Sequence, residues 1–165
     1  MLRISLKEGE NIIPLKTELH HAKCYVEIQK KRYGDIFSVY WDTDNVPDNF
    51  KLPKVIIQPL IENAIYHGIK NKNENGTIWI TINKDYENNG IVIIVKDDGI
   101  GMTNSQIQAL TRKLEGDFEN ISDHIGLQNV NQRIKITYGE KYGASLFKNT
   151  DCDGITVKLF IPSVN

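Results

Sequence analysis

Thr77-Ile78-Trp79-Ile80-Thr81-Ile82-Asn83-Lys84, a turn ending in Asn89-Gly90, and Ile91-Val92-Ile93-Ile94-Val95-Lys96 together decide the fold. The first run alternates with a period of two, as a strand with one covered face does. Asn-Gly supplies the positive φ of a tight hairpin, so the two runs are antiparallel neighbours joined through 85–90. Working outward, Phe37, Val39 and Trp41 alternate against Ser38 and Tyr40, and two further strand-like runs, 144–149 and 155–161, close the chain at Pro162. Helical spacing marks Leu15, Leu19, Ala22, Val26 and Ile28 in a helix over 15–32 that Gly34 ends. A second helix covers 53–69, opened by Pro53 and broken by Gly68 and the polar run 71–76. A short helical patch lies at 105–114, and a last helix over 127–138 stops at Gly139. Residues 1–13 are a weakly patterned lead-in, and 42–51 is a loop. Hairpins dominate, so the expected fold is α/β (α+β): a two-layer sandwich whose mixed, mainly antiparallel sheet of about five strands carries helices on one face.

The 165 residues suit one core-forming domain. Hydrophobic residues make up 40% and charged residues 25%, ordinary for a globular chain, and the net charge is −1. No basic excess points to nucleic acid, and no apolar run is long enough for a bilayer. Cys24 and Cys152 have neither metal-site nor redox-motif spacing and read as reduced thiols of a cytoplasmic protein.

Three motifs carry the chemistry. The first is Gln58-Pro59-Leu60-Ile61-Glu62-Asn63-Ala64-Ile65-Tyr66-His67-Gly68. Four-residue spacing gives this helix a buried arc of Ile57, Ile61, Ala64, Ile65 and Gly68, with Asn63, His67 and Lys70 on the neighbouring stripe. An Asn carbonyl is a hard oxygen suited to Mg²⁺, which keeps few protein ligands and shares substrate phosphates; His67 and Lys70 can donate to those phosphates. Taken alone, this helix is better explained by a solvated polar face, with His67 a surface histidine. The second motif, Val95-Lys96-Asp97-Asp98-Gly99-Ile100-Gly101-Met102, sets a carboxylate at a strand end. Asp97 there can accept from an exocyclic amine, and Gly99 and Gly101 let backbone approach a flat ring. The third, His124-Ile125-Gly126-Leu127-Gln128-Asn129-Val130, puts Gly126 before a helix whose free N–H groups suit phosphate. Each motif has a bland reading, and it is their order and conjunction that suggest a magnesium nucleotide under a lid. His20 and His21 read as a solvated helix face, and Tyr25, Tyr33 and Trp41 as packing.

The three motifs resemble the N, G1 and G2 boxes of the GHKL ATP-binding fold of histidine kinases, gyrase, Hsp90 and MutL, and are most similar in wording to LytS/YesM-like sensor kinases. Leu52-Pro53 through Gly68 matches that N box. The stretches Leu15-Lys16-Thr17-Glu18-Leu19 and 25–34 resemble the helix joining the histidine domain to the ATPase domain, and Arg133, Tyr138-Gly139 and Ile161-Pro162 fit as well. The resemblance implies a Bergerat-type sandwich, with 1–34 the end of the histidine-containing region and 35–165 the ATP-binding catalytic domain. It implies ATP and Mg²⁺ as ligands. Asn63 would hold the metal, Asp97 the adenine amine, and Gly99, Ile100, Gly101 and Met102 the adenine pocket. Residues 103–123 would form the lid, Gly126 and Leu127 its phosphate-side hinge, and Thr156 would stand near the adenine. Departures are His124 for the first glycine of the third box, Asp98 for the usual Asn, and Ile155 where a Gly-Thr pair is usual.

The expected activity is protein-histidine kinase: the γ-phosphate of MgATP goes to a histidine on another domain, with a response regulator served by the full-length protein. The family's Pro-His-Phe-type acceptor motif is missing, so the chain reads as a catalytic fragment of a membrane-anchored parent, and Met1 need not be a natural start. The fragment itself is expected to touch neither membrane nor nucleic acid. One rival is a clamp-type GHKL ATPase, which resembles its relatives in carrying a water-activating Glu four residues before the metal Asn; here that position is Pro59. Glu62, one residue before Asn63, points elsewhere on the helix and is a weaker candidate for assisting transfer. A second rival is an interaction module that keeps the fold without nucleotide, against which Asn63, Asp97 and Gly101 stand.

Overall fold

A computed structural model describes residues 12–47, 49–116 and 125–163. The hairpin at its centre is β4 (Gly76–Asp85) and β5 (Gly90–Asp97), paired antiparallel from Ile78–Asp97 to Asp85–Gly90, with Asn89 at φ +50° in the turn. β2 (Phe37–Asp42) joins β4 in parallel; β7 (Ile155–Pro162) and β6 (Ala144–Lys148) extend the other side. The sheet order is β2-β4-β5-β7-β6. One face carries Ile78, Ile80, Ile82, Ile91, Ile93, Val95, Val157, Leu159 and Ile161, all buried, against the helices. On the other face Tyr40 stacks on Trp79, which is the expected two-layer arrangement.

Helix α1 (Leu15–Tyr33) ends at Gly34, φ +69°. Its buried stripe is Leu15, Glu18, Leu19, Ala22, Val26 and Gln29. Ile28, expected on that stripe, is 61% exposed; helical spacing from Val26 lands on Gln29 instead. The lead-in and the 42–51 loop hide a second, two-stranded sheet of β1 (Ile12–Pro14) and β3 (Lys51–Pro53). Pro53 therefore ends a strand and does not open the second helix, because α2 begins at Ile57 and runs to Asn63. Its start is set from a distance: the buried Glu18 carboxylate accepts the N–H groups of Val55, Ile56 and Ile57 at 3.0, 2.7 and 2.9 Å. From Ala64 to Ile69 the helix widens into a π-helix. Helix α3 (Asn104–Glu115) opens with a capping box between Thr103 and Gln106. It buries Leu110 and Leu114, and the buried Asn131 ties it down by donating to the Leu114 carbonyl at 2.6 Å. Half of the expected 103–123 lid is thus regular helix; 117–123, with Phe118 and Ile121, and His124 of the third motif lie outside the described residues. Helix α4 (Ile125–Tyr138) stops at Gly139, φ +108°.

Candidate functional site

The site lies where α2 and its π-helical extension meet the end of β5 and the start of α4. Asn63 and His67 line two adjoining cavities. The larger, about 390 Å³, is completed by Pro59, Glu62, Tyr66, Gly126 and Leu127. The smaller, about 10 Å³, is closed by Gly68, Asp97, Gly101, Met102 and Ile155. A larger hollow, about 700 Å³, opens on the far side between β1, the 49–51 segment and Tyr138, away from all three motifs.

Asp97 is 2% exposed at the strand end. Burial pushes its carboxyl up to about 6, and the Gly99 and Ile155 amides, which donate to it, oppose that rise. Glycines make this tight corner possible. A Cβ on Gly68 would come 2.7 Å from the Asp97 Oδ1, and one on Gly99 would come 2.3 Å from the Gly68 Cα. Gly101, at φ +69°, sits against Gly154. The Ile100 amide donates to the Gly68 carbonyl at 3.2 Å, locking the β5 turn onto the π-helix, while the Ile100 side chain is exposed. The charge that Asp98 adds is turned away: it accepts from the Thr77 amide at 2.6 Å and pairs with Lys72 at 3.4 Å.

Several expected positions are revised. Lys70 does not share the stripe of Asn63 and His67. The wider π turn, with the Lys70 amide bonded to the Ile65 carbonyl at 2.8 Å, carries it round the helix. Its ammonium rests 5.2 Å over the Tyr33 ring and 5.4 Å over the Tyr66 ring. Glu62 does not point elsewhere; it lines the larger cavity with Asn63, held at 2.8 Å by the Gln58 amide. Gly126 is inside the first turn of α4, not before it, and a Cβ there would meet Pro59 at ordinary contact distance. Ile155, not Thr156, lines the small cavity. The Thr156 hydroxyl donates at 2.7 Å to Asn149, whose amide in turn donates to the Asp97 carbonyl at 2.7 Å. His20 and His21 are exposed on α1.

Sequence reasoning missed Tyr66, Ile155, Asn149 and Gly154. Gly154 is the one with a legible signal: a glycine beside a strand start, here at φ +107° with no room for a Cβ. Among the described residues no group of three His, Cys, Asp or Glu side chains could hold a metal.

The chain is 32% identical over 165 residues to the sensor protein LytS of Oceanobacillus iheyensis, covering 99% of this chain and 28% of that one. It is 31% identical over 147 residues to the sensor protein kinase HptS of Staphylococcus aureus, covering 89% of this chain and 27% of that one. It thus spans little more than a quarter of these relatives. Its fold is that of the nucleotide-free catalytic domain of the histidine kinase ThkA, with TM-score 0.64, 18% identity, and coverage of 92% and 95%. The same fold recurs in ThkA in complex with the response regulator protein TrrA, with TM-score 0.61, 18% identity, and coverage of 93% and 41%. A family model described as histidine kinase matches residues 1–37. With a second model matching residues 50–164, the chain belongs to the family of histidine kinase-, DNA gyrase B- and HSP90-like ATPases.

Proposed function

We propose that this chain is the ATP-binding catalytic domain of a two-component sensor histidine kinase. Residues 1–34 would be the end of the histidine-containing region and 35–165 the catalytic unit, although the apolar face of α1 is built into the catalytic core. The observation that carries the reading is the pair of cavities sharing Asn63 and His67, one ending in a buried carboxylate and the other open beside Gly126 and Leu127. Adenine would sit at the Asp97 end, between Gly99, Gly101 and Met102, with its amine donating to Asp97. The phosphates would lie along Asn63, His67 and the first turn of α4, since the N-terminal end of a helix favours anions. Mg²⁺, held by the Asn63 carbonyl and phosphate oxygens, would neutralise charge that develops in transfer. Lys70 reaches a phosphate only by leaving its two tyrosine rings. Glu62, which lines the larger cavity, would be the residue to take the proton of an attacking imidazole. No described helix is long and apolar enough to cross a membrane; we place the domain in the cytoplasm of a membrane-anchored parent that serves a response regulator.

Asn63→Ala should keep the fold and lose the magnesium dependence of ATP binding. Calorimetric titration with Mg²⁺ and with chelator decides this; a surviving magnesium effect removes Asn63 as the ligand.

Phosphotransfer needs an acceptor in line with the γ-phosphate, and an error of about 1 Å can cost ~10²-fold. His20 and His21 are exposed on α1 and line neither cavity. Pro59, which has no basic group, stands where clamp ATPases carry their base. Incubated alone with γ-labelled ATP, the chain should hydrolyse very slowly and carry no phosphohistidine. A separate domain bearing the family's acceptor histidine should become labelled. Label on His20 or His21, or rapid turnover without an acceptor, would point to a different enzyme.

A further inference from the structure

Glu18 and the turn it holds do more than start a helix. The N-cap position of α2 is Ile56, which has no capping oxygen. Helices usually solve this locally, with Ser, Thr, Asp or Asn at the cap. Here the cap is supplied by another helix, 37 to 39 residues earlier in the chain. To aim three consecutive amides at one carboxylate the backbone turns sharply, and Val55 adopts φ +59°. That region is unfavourable for a β-branched residue and is kept only when the surroundings enforce it. The carbonyls of the same turn face the opposite way, where the Arg133 guanidinium of α4 donates to Lys54 and, at 3.1 Å, to Val55. Residues 54–57 are thus keyed by charge to α1 on one side and to α4 on the other. Beyond this turn α2 carries Asn63 and leads to His67; α4 carries Gly126 and Leu127. This junction thus joins the two helices that wall the larger cavity.

We propose that Glu18 is a positioning residue for the nucleotide site, through which the seating of α1 on the domain sets phosphate affinity. This rests on reading the cavities as a nucleotide site. A cap carried by α2 itself would make the helix independent of α1; a cap carried by α1 makes the placement of Asn63 conditional on it. The segment that leads into the domain from upstream therefore has a direct hold on the site.

The test is calorimetric titration of MgADP into the whole chain and into Glu18→Gln, at a temperature where both are fully folded by far-UV circular dichroism. Gln keeps the volume but turns one oxygen into a donor that faces a backbone donor. We expect about ten-fold weaker binding and faster amide exchange over 57–69, with protection in β4 and β5 unchanged. Affinity within twofold of wild type, or unchanged exchange over 57–69, overturns the proposal. If Glu18→Gln does not fold, Arg133→Ala loosens the same turn from its half-buried side and should weaken MgADP several-fold; no change there overturns it equally. A wild-type chain that binds no MgADP overturns the site reading itself, an outcome distinct from equal binding by wild type and variant.

Discussion

Asp97→Asn should melt higher than wild type and bind ADP far more weakly. Both effects follow from one buried charge. The carboxyl titrates near 6 in the folded chain against 3.8 ordinarily, mainly because burial penalises the anion. Between those values the folded state holds more protons than the unfolded one, so stability falls as pH rises through the window. Above about 6 the penalty is fully present, and two units correspond to ~3 kcal/mol. The amide removes the charge yet still accepts from the Gly99 N–H, which lies 2.9 Å from Oδ1. A gain in melting temperature of a few degrees per kcal/mol is expected at pH 7.5. Binding moves the other way, because an amine donating to a charged acceptor in a dry pocket is worth ~1.5–3 kcal/mol, or ten- to a hundred-fold. Wild-type ADP affinity should also drop as pH falls through about 6, while that of the variant stays flat. Unchanged affinity in the variant removes Asp97 from the adenine site; a lower melting temperature removes the buried-charge argument.

Gly154→Ala should be among the most damaging single-methyl changes in the chain. The added Cβ would lie 2.1 Å from the Asp97 carbonyl oxygen, 2.8 Å from its carbon and 2.9 Å from Oδ1, and φ is +107°. Relief requires β7 to move off β5 at the point where both wall the small cavity. Strain and overpacking together should cost ~3 kcal/mol or more. Gly34→Ala is the control: φ is +69°, but nothing lies within 4 Å of a Cβ. With ψ at −156° the conformation is one that essentially only glycine adopts, so the variant should lose the backbone term alone, ~1–3 kcal/mol. Urea unfolding of the two variants separates the contributions; equal losses would mean that the packing of Gly154 on Asp97 carries no weight.

The central hairpin was legible because alternation and an Asn-Gly turn are local signals, and the structure follows them closely. The N-box helix was legible in kind, but its start and its winding were not. Pro53 is a good first helical residue, yet what places the start at Ile57 is a carboxylate 39 residues away in sequence. Likewise nothing local announces the π-helix, which rotates Lys70 away from Asn63 and His67 and brings Gly68 against Asp97. Strand β3 is only Lys51–Pro53 and pairs with a three-residue partner, too short to show a period. At the candidate site, residues with distinctive chemistry could be picked out from the sequence, and Asn63, His67, Asp97, Gly101 and Gly126 do line the two cavities. Those defined by topology were not, such as Ile155, which reaches the cavity only because β7 lies beside β5.

The small cavity that we propose for adenine, at about 10 Å³, has room for about one water molecule. On that reading a purine could enter only after lining side chains move, and of these the Met102 thioether is flexible and the Ile155 side chain stiff. The affinity measured from outside is the affinity of the opened site scaled by the fraction of time it stands open; an opening present ~1% of the time weakens apparent binding ~100-fold without changing a single contact to the base. On that reading, substitutions that leave every nucleotide-touching atom in place, but shift how often Met102 stands aside, would also change occupancy by ATP.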